Sequence, residues 1–194
     1  MTESNVVASR EYNGTIIPIA GTYELDANHK RVGFLVRHLM VSKVRGEFGQ
    51  ATATITIGED PLQSSVTATI LAASFDSGQD QRDGHVKSPD FLDVEKYPTI
   101  EYRSTGVKSI DGADIVLTGE LAIKGVTQPV DLHVELEGVG RSPYGQDVFG
   151  FSATTEIDRE AFGLTYNMAL ETGGVMIGKN VKIEIEGEAI RQEV

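Results

Sequence analysis

Along most of this chain apolar and polar residues alternate with a period of two, the mark of β-strands that bury one face. In "RVGFLVRHL" Val32, Phe34, Val36 and His38 share one parity. "ATATITI" sets Ala51, Ala53, Ile55 and Ile57 against three threonines. The same pattern runs through "SVTATILAASF", "TIEYRS", "ADIVLTGELAIKG", "PVDLHVELEG", "VFGFSATTEI" and "NVKIEIEGEA". With "GTYELD" at the front, this predicts about eight or nine strands. The connections "SIDGAD", "KGVTQP" and "GRSPYGQD" hold Gly, Pro or Asp where the backbone must reverse, which favours antiparallel neighbours. An all-β fold follows, either a closed barrel or a sandwich.

Two stretches break the alternation. Ser88 before Pro89 and Asp90 has the chemistry of a helix start, so "SPDFLDVEKY" is expected to be a short helix with Phe91, Leu92 and Val94 available for burial. Asp158 can cap a turn over "REAF", which Gly163 can end. The glycines of "TGGVMIGKN" lack the spacing of a phosphate-binding loop and are expected to form a connector into the last strand. Residues 1–18 are expected to be an N-terminal arm, flexible or docked on a neighbour, and residues 19–194 the barrel domain.

Composition narrows the function. The formal net charge of −12 disfavours a nucleic-acid partner, because such affinity rests on Lys and Arg. Cysteine is absent, which removes disulfides, thiol nucleophiles and thiolate metal sites. No run approaches the roughly 20 apolar residues of a membrane-spanning helix. The first residues carry Glu3, Arg10 and Glu11 and lack the apolar core of a secretory signal, so a cytoplasmic location is expected.

The polar stretch "RDGHVKSPDFLD" is the first place to look for chemistry, because His85 lies among Asp83, Asp90 and Asp93. The four histidines, His29, His38, His85 and His133, form no paired ligand motif, so no metal site is expected. No G-x-S-x-G elbow marks a nucleophile. The stretch reads better as a bracket in which Arg82 and Asp83 tie down a connector and Phe91 and Leu92 anchor it. His38 ends an apolar face beside Arg37; it is either a satisfied structural residue or a polar contact at the end of a cavity. Phe34, Phe48, Phe75, Phe149, Phe151 and Tyr102 are either plain core or ligand contacts.

Four motifs in order, "VGFLVRHLMVSKVRGEFG", "RDGHVKSPDFLDVEKYPTIEY", "LTGELAIKGVTQPVDL" and "IDREAFGL", together resemble the YceI-like, polyisoprenoid-binding family of bacteria, over roughly Gly21 to Ala189. The resemblance implies an extended, lipocalin-like antiparallel β-barrel of eight strands whose apolar cavity holds an isoprenoid chain, a fatty acid or an amide. It also implies a homodimer. The lipid is then expected along Phe34, Val36, His38, Phe48, Phe75, Tyr102, Leu121, Phe151 and Met168, with His38 and, less directly, Arg37 at the head group. Arg37 has the parity that points away from Phe34 and Val36. No catalytic group and no cofactor other than the bound lipid is expected. Two rivals differ in class: an enzyme acting on an amphiphile with His38 or His85 as base, and a stress-response interaction module whose barrel is filled by side chains.

Overall fold

A computed structural model describes residues 8–193 of the chain. In chain order its elements are β1 (Ser9–Tyr12), β2 (Thr15–Pro18), β3 (Gly21–His38), β4 (Ser42–Phe48), β5 (Ala51–Ile57), β6 (Ser65–Leu71), β7 (Phe75–Asp76), α1 (Asp80–Lys87), β8 (Thr99–Asp111), β9 (Asp114–Ile123), β10 (Val126–Arg141), β11 (Asp147–Asp158) and β12 (Ile177–Arg191). Strands β3, β5, β6, β8, β9, β10, β11 and β12 follow one another around a closed antiparallel barrel, with β12 pairing back onto β3. The β12–β3 pairing closes these eight strands into one circuit.

"GTYELD" and "RVGFLVRHL", expected as separate strands, are one strand of 18 residues. β3 can be that long because it serves two partners on one side: Gly21 to Glu24 pair with β5, and Val32 to His38 pair with β4. β4 in turn pairs with β7, not with the strand that closes the barrel. The wall therefore parts between β7 and β8, and the segment from α1 to Pro98 fills the opening. Phe91 and Leu92 are its buried anchors, and the Ala72 N–H donates to the Pro98 carbonyl at 2.9 Å.

The helix lies earlier than the sequence predicts. α1 occupies Asp80–Lys87, and Ser88 closes its C-terminal end, its hydroxyl donating to the His85 carbonyl at 2.7 Å. Residues 89–97 are turns, in which Asp93 adopts a positive φ of 51°. Ser88 does carry a capping hydroxyl, but on the opposite terminus. The true N-cap is Gln79, whose side chain accepts from the Arg82 N–H at 2.6 Å. The turn over Arg159–Phe162 forms as expected, as a 3-10 helix capped by Asp158 and ended by Gly163 at φ 79°.

Of the expected N-terminal arm, residues 1–7 lie outside the described residues. β1 and β2 form a hairpin around Asn13 and Gly14, both at positive φ, as a type I′ turn requires. It docks on this chain's own barrel. Ile17 is buried, the Arg10 guanidinium donates to the carbonyls of Gly58 and Glu59, and the Ala8 N–H donates to Asp147.

Two separate apolar clusters stabilise the barrel. One joins Ala72, Phe75, Leu92, Ile100, Leu121, Ile123, Ile157 and Phe162; the other joins Tyr23, Phe149 and Ala189. Gly46 fits the first cluster because Phe34, its cross-strand partner, lies over it. A Cβ there would sit 2.5 Å from the Phe34 ring and 2.6 Å from the Asp76 carbonyl oxygen. Gly46→Ala is expected to cost about 1–3 kcal/mol of stability, measured by urea denaturation; an unchanged midpoint would contradict this packing.

Candidate binding cavity

Between the two clusters the barrel is not filled. A cavity of about 980 Å³ runs along its interior, near the upper end of the range typical of small-molecule sites. Its walls are the inward parity of the strands, including Val32, Phe34 and Val36 of β3, Ala51, Ala53 and Ile55 of β5, and Val181, Ile183 and Ile185 of β12. A filled-barrel reading does not fit this interior.

One end is closed by apolar groups: Ile17 and Pro18 of the N-terminal hairpin, and Pro61 in a 3-10 turn, are all buried there. The other end is polar. Arg37, His38, Gln79, Gln81, Arg82 and His85 contribute to its lining, and Arg37, Gln79 and Gln81 are exposed. Just inside it Phe34 stacks on Phe75 with ring centroids 4.9 Å apart, and Phe48 meets Phe75 edge-on at 5.6 Å. A polar mouth leads past these aromatic rings into an aliphatic interior.

Of the residues expected to meet a ligand, Phe34, Val36, His38, Phe48, Phe75, Tyr102, Leu121 and Phe151 all line this cavity. Met168 does not. It lies on the connector between Phe162 and β12 and is 53% exposed, because that connector leaves the barrel and strand parity no longer orients its side chains. Arg37 does reach the lining despite its outward parity, since it sits at the strand end where the wall stops. Tyr102 is held neutral across the physiological range: burial, and secondarily the Asp131 charge, push its pKa up to about 12.

The bracket around His85 is built from separate contacts. His85 Nε2 lies 2.8 Å from Asp90 Oδ2, and its ring packs edge-on against Phe91 and Tyr166. Asp83 instead turns back to Ser77, accepting from its N–H at 3.0 Å and from its hydroxyl, while Arg82 donates to the Ser77 hydroxyl at 2.6 Å. Among the described residues, the grouping of His and carboxylates found close together is Asp26, His29 and Glu188. His29 Nδ1 lies 2.6 Å from Asp26 Oδ2 and 3.8 Å from Glu188 Oε2, with His29 and Glu188 exposed and the Asp26 side chain largely covered.

Desolvation alone would raise the Asp83 carboxyl, but the Ser77 hydrogen bonds and the charges of Lys87 and Arg82 outweigh it and hold it below the usual carboxylate range. A depressed folded-state pKa means stability that is present above the unfolded value and lost as pH falls through the folded one. Asp83→Asn is therefore expected to lower the unfolding free energy by about 1–3 kcal/mol at neutral pH, with the gap closing below about pH 4. Parallel urea titrations across that range check it; a gap constant with pH would exclude a role for the charge.

Arg159 is the residue that sequence reasoning missed. It lines the cavity, is 4% exposed, and donates to the carbonyls of Gly178 at 2.9 Å, Tyr166 at 3.0 Å, Ile177 at 3.4 Å and Leu164. Burial pushes its pKa down, while Glu160 and Asp158 pull it up. Its position in "IDREAFGL" was visible, but its orientation was not, because the strand parity ends at Asp158.

The closed antiparallel barrel with an apolar interior and a polar mouth is of the lipocalin-like class. Residues 23–189 match the YceI-like domain, and the chain belongs to that family. Among curated relatives, a UPF0312 protein of Staphylococcus aureus is 38% identical over 168 residues, covering 86% of this chain and 95% of its own. A UPF0312 protein of Staphylococcus epidermidis is 39% identical over the same length. Among solved structures, the Campylobacter jejuni YCEI protein is 29% identical with a TM-score of 0.69, covering 81% of this chain and 90% of its own. Burkholderia cenocepacia BcnA shares the fold at 23% identity and a TM-score of 0.74, covering 84% and 98%. So does a polyisoprenoid binding domain from Saccharophagus degradans implicated in plant cell wall breakdown, at 15% identity and 0.64, covering 88% and 98%.

Proposed function

We propose that the protein binds a polyisoprenoid or similar long-chain amphiphile, such as a fatty acid or amide, inside the barrel, for carriage, storage or sequestration. The observation that carries this reading is the apolar cavity of about 980 Å³ with polar groups gathered at one end. Each buried methylene contributes about 0.8 kcal/mol, so even ten would supply about 8 kcal/mol before the cost of ordering the chain. The description of the Saccharophagus degradans domain as polyisoprenoid-binding supports the same ligand class. Binding requires no reacting group. His85 and Asp90 join α1 to the turn behind it, which is a positioning contact.

Organic extraction of the purified protein followed by mass spectrometry tests the reading directly. The expected result is a co-purifying long-chain lipid, retained in His85→Ala. Repeated absence of lipid, together with no uptake of long isoprenoids or fatty acids in solution, would falsify it. Turnover of an amphiphile that His85→Ala abolishes would favour an enzyme instead.

A further inference from the structure

The β3–β4 turn beside the polar mouth carries residues that its own backbone geometry disfavours. Leu39 and Met40 both adopt positive φ, 51° and 62°, and the Val41 N–H donates to the His38 carbonyl across them at 3.1 Å. This left-handed pair is the type I′ geometry that favours Asn-Gly and is costly for large side chains. Elsewhere this chain uses Asn13-Gly14 and Lys124-Gly125 for the same left-handed pair. Here two large apolar side chains occupy the strained positions, and both are exposed. Leu39, Met40 and Val41 are 39%, 53% and 81% exposed.

The patch continues onto the neighbouring connector. The Leu39 N–H donates to the Met176 carbonyl at 2.8 Å and the Met176 N–H to the Met168 carbonyl at 2.9 Å, which places exposed Met168 and Val175 alongside the tip. Met176, Arg37 and His38 line the cavity, so the exposed apolar surface is continuous with its mouth.

Charge then says what covers it. In a chain of net charge −12, residues 27–46 contain Lys30, Arg31, Arg37, Lys43 and Arg45 and no Asp or Glu. Arg37 and Lys43 face each other directly across β3 and β4, just behind the tip. Like charges so placed repel, and neither has an ion-pair partner among the described residues. The one carboxylate on the adjoining connector is the exposed Glu171. The opposite end of the barrel also exposes Ile16 and Leu62, but amid Glu11, Glu59 and Asp60. Among the described residues, the mouth combines exposed apolar side chains with two cations that have no ion-pair partner, the composition of a surface that enters the headgroup region of an anionic bilayer.

We infer that the Leu39–Val41 tip, with Met168 and Val175 beside it and Arg37 and Lys43 behind it, docks the cavity mouth on a membrane containing anionic phospholipid. The apolar tip enters the headgroup boundary while the two cations meet lipid phosphates, so that a chain passes between bilayer and barrel without crossing water. This rests on the lipid-binding reading above for its purpose, but its test is separate.

The test is co-sedimentation of the full chain with vesicles of phosphatidylcholine alone or with phosphatidylglycerol added. Binding is expected to the anionic vesicles, weakened by salt. Lys43→Glu is expected to weaken it by about fivefold or more. The combined variant Leu39→Asn, Met40→Gly, Val41→Ser gives the turn its favoured residues, so it is expected to fold at least as stably while losing roughly tenfold or more in vesicle binding. No binding of wild-type protein to either vesicle, with extracted lipid still present, overturns the docking surface and leaves the cavity reading intact. Anionic-vesicle binding lost in the tip variant, with no lipid ever extracted, supports the surface and overturns the cavity reading. A wild-type dimer that the tip variant dissociates, without vesicle binding, overturns the proposal in favour of a second copy of this chain.

Discussion

Ala68→Phe is expected to expel the lipid while leaving the barrel folded. Ala68 lies opposite Ala53 on β5 and opposite Tyr102 on β8, and all three side chains line the cavity. An aromatic ring at that point fills the tube between the two apolar clusters, where small residues leave the room. If the ring displaces about four methylenes, the loss is about 3 kcal/mol, on the order of a hundredfold in affinity. Stability should be unchanged or raised by up to about 1 kcal/mol, because the ring occupies space that would otherwise lack contacts. Mass spectrometry after extraction, set beside a urea titration, reads both quantities. Wild-type lipid content in a folded Ala68→Phe protein would place the lipid somewhere other than the lumen.

The same residues show why so much of the wall was legible in the sequence. Inside a strand, parity is enforced by backbone geometry, so spacing puts Phe34 and Val36 on one face of their strand, while it is the family resemblance that joins them with Tyr102, Leu121 and Phe151 around one cavity, all of which line it. Wherever the chain leaves a strand, that rule stops acting. Met168, two residues after Tyr166, belongs to the lining that the resemblance implies, yet it is exposed on the connector. α1 leaves no periodic signal, because "DQRDGHVK" has almost no apolar face and Gly84 sits in its middle. It is held by its ends, with Gln79 capping one and Ser88 the other, and by Asp83 gripping Ser77. The N-terminal hairpin was signalled by Asn13-Gly14, but its flanks are too short for alternation to stand out. Strand interiors are thus written in spacing, whereas the two ends of the barrel, where access is decided, are written in caps and long-range polar contacts.

Arg159→Met is expected to be the most destabilising single change at the mouth, lowering the unfolding free energy by about 3 kcal/mol or more. The guanidinium is almost fully buried, and it joins the carbonyls of Leu164 and Tyr166, at the start of the connector, to those of Ile177 and Gly178, at the start of β12. Methionine keeps much of the side-chain volume but donates nothing, so four carbonyl groups lose a charge-assisted partner at once. Those nearest solvent regain water, which keeps the total below the sum of four separate losses. Arg159→Lys restores the charge but carries it as a single ammonium in place of a planar fork, and it should recover less than half of the deficit. Since this connector also forms the rim beside the β3–β4 turn, its release should speed lipid loss from Arg159→Met even under conditions where the barrel stays folded. Urea midpoints for the three proteins and the dissociation rate of a fluorescent fatty acid separate the two effects. A change in midpoint equivalent to less than about 0.5 kcal/mol would show that the carbonyls find other partners and that Arg159 does not brace the mouth.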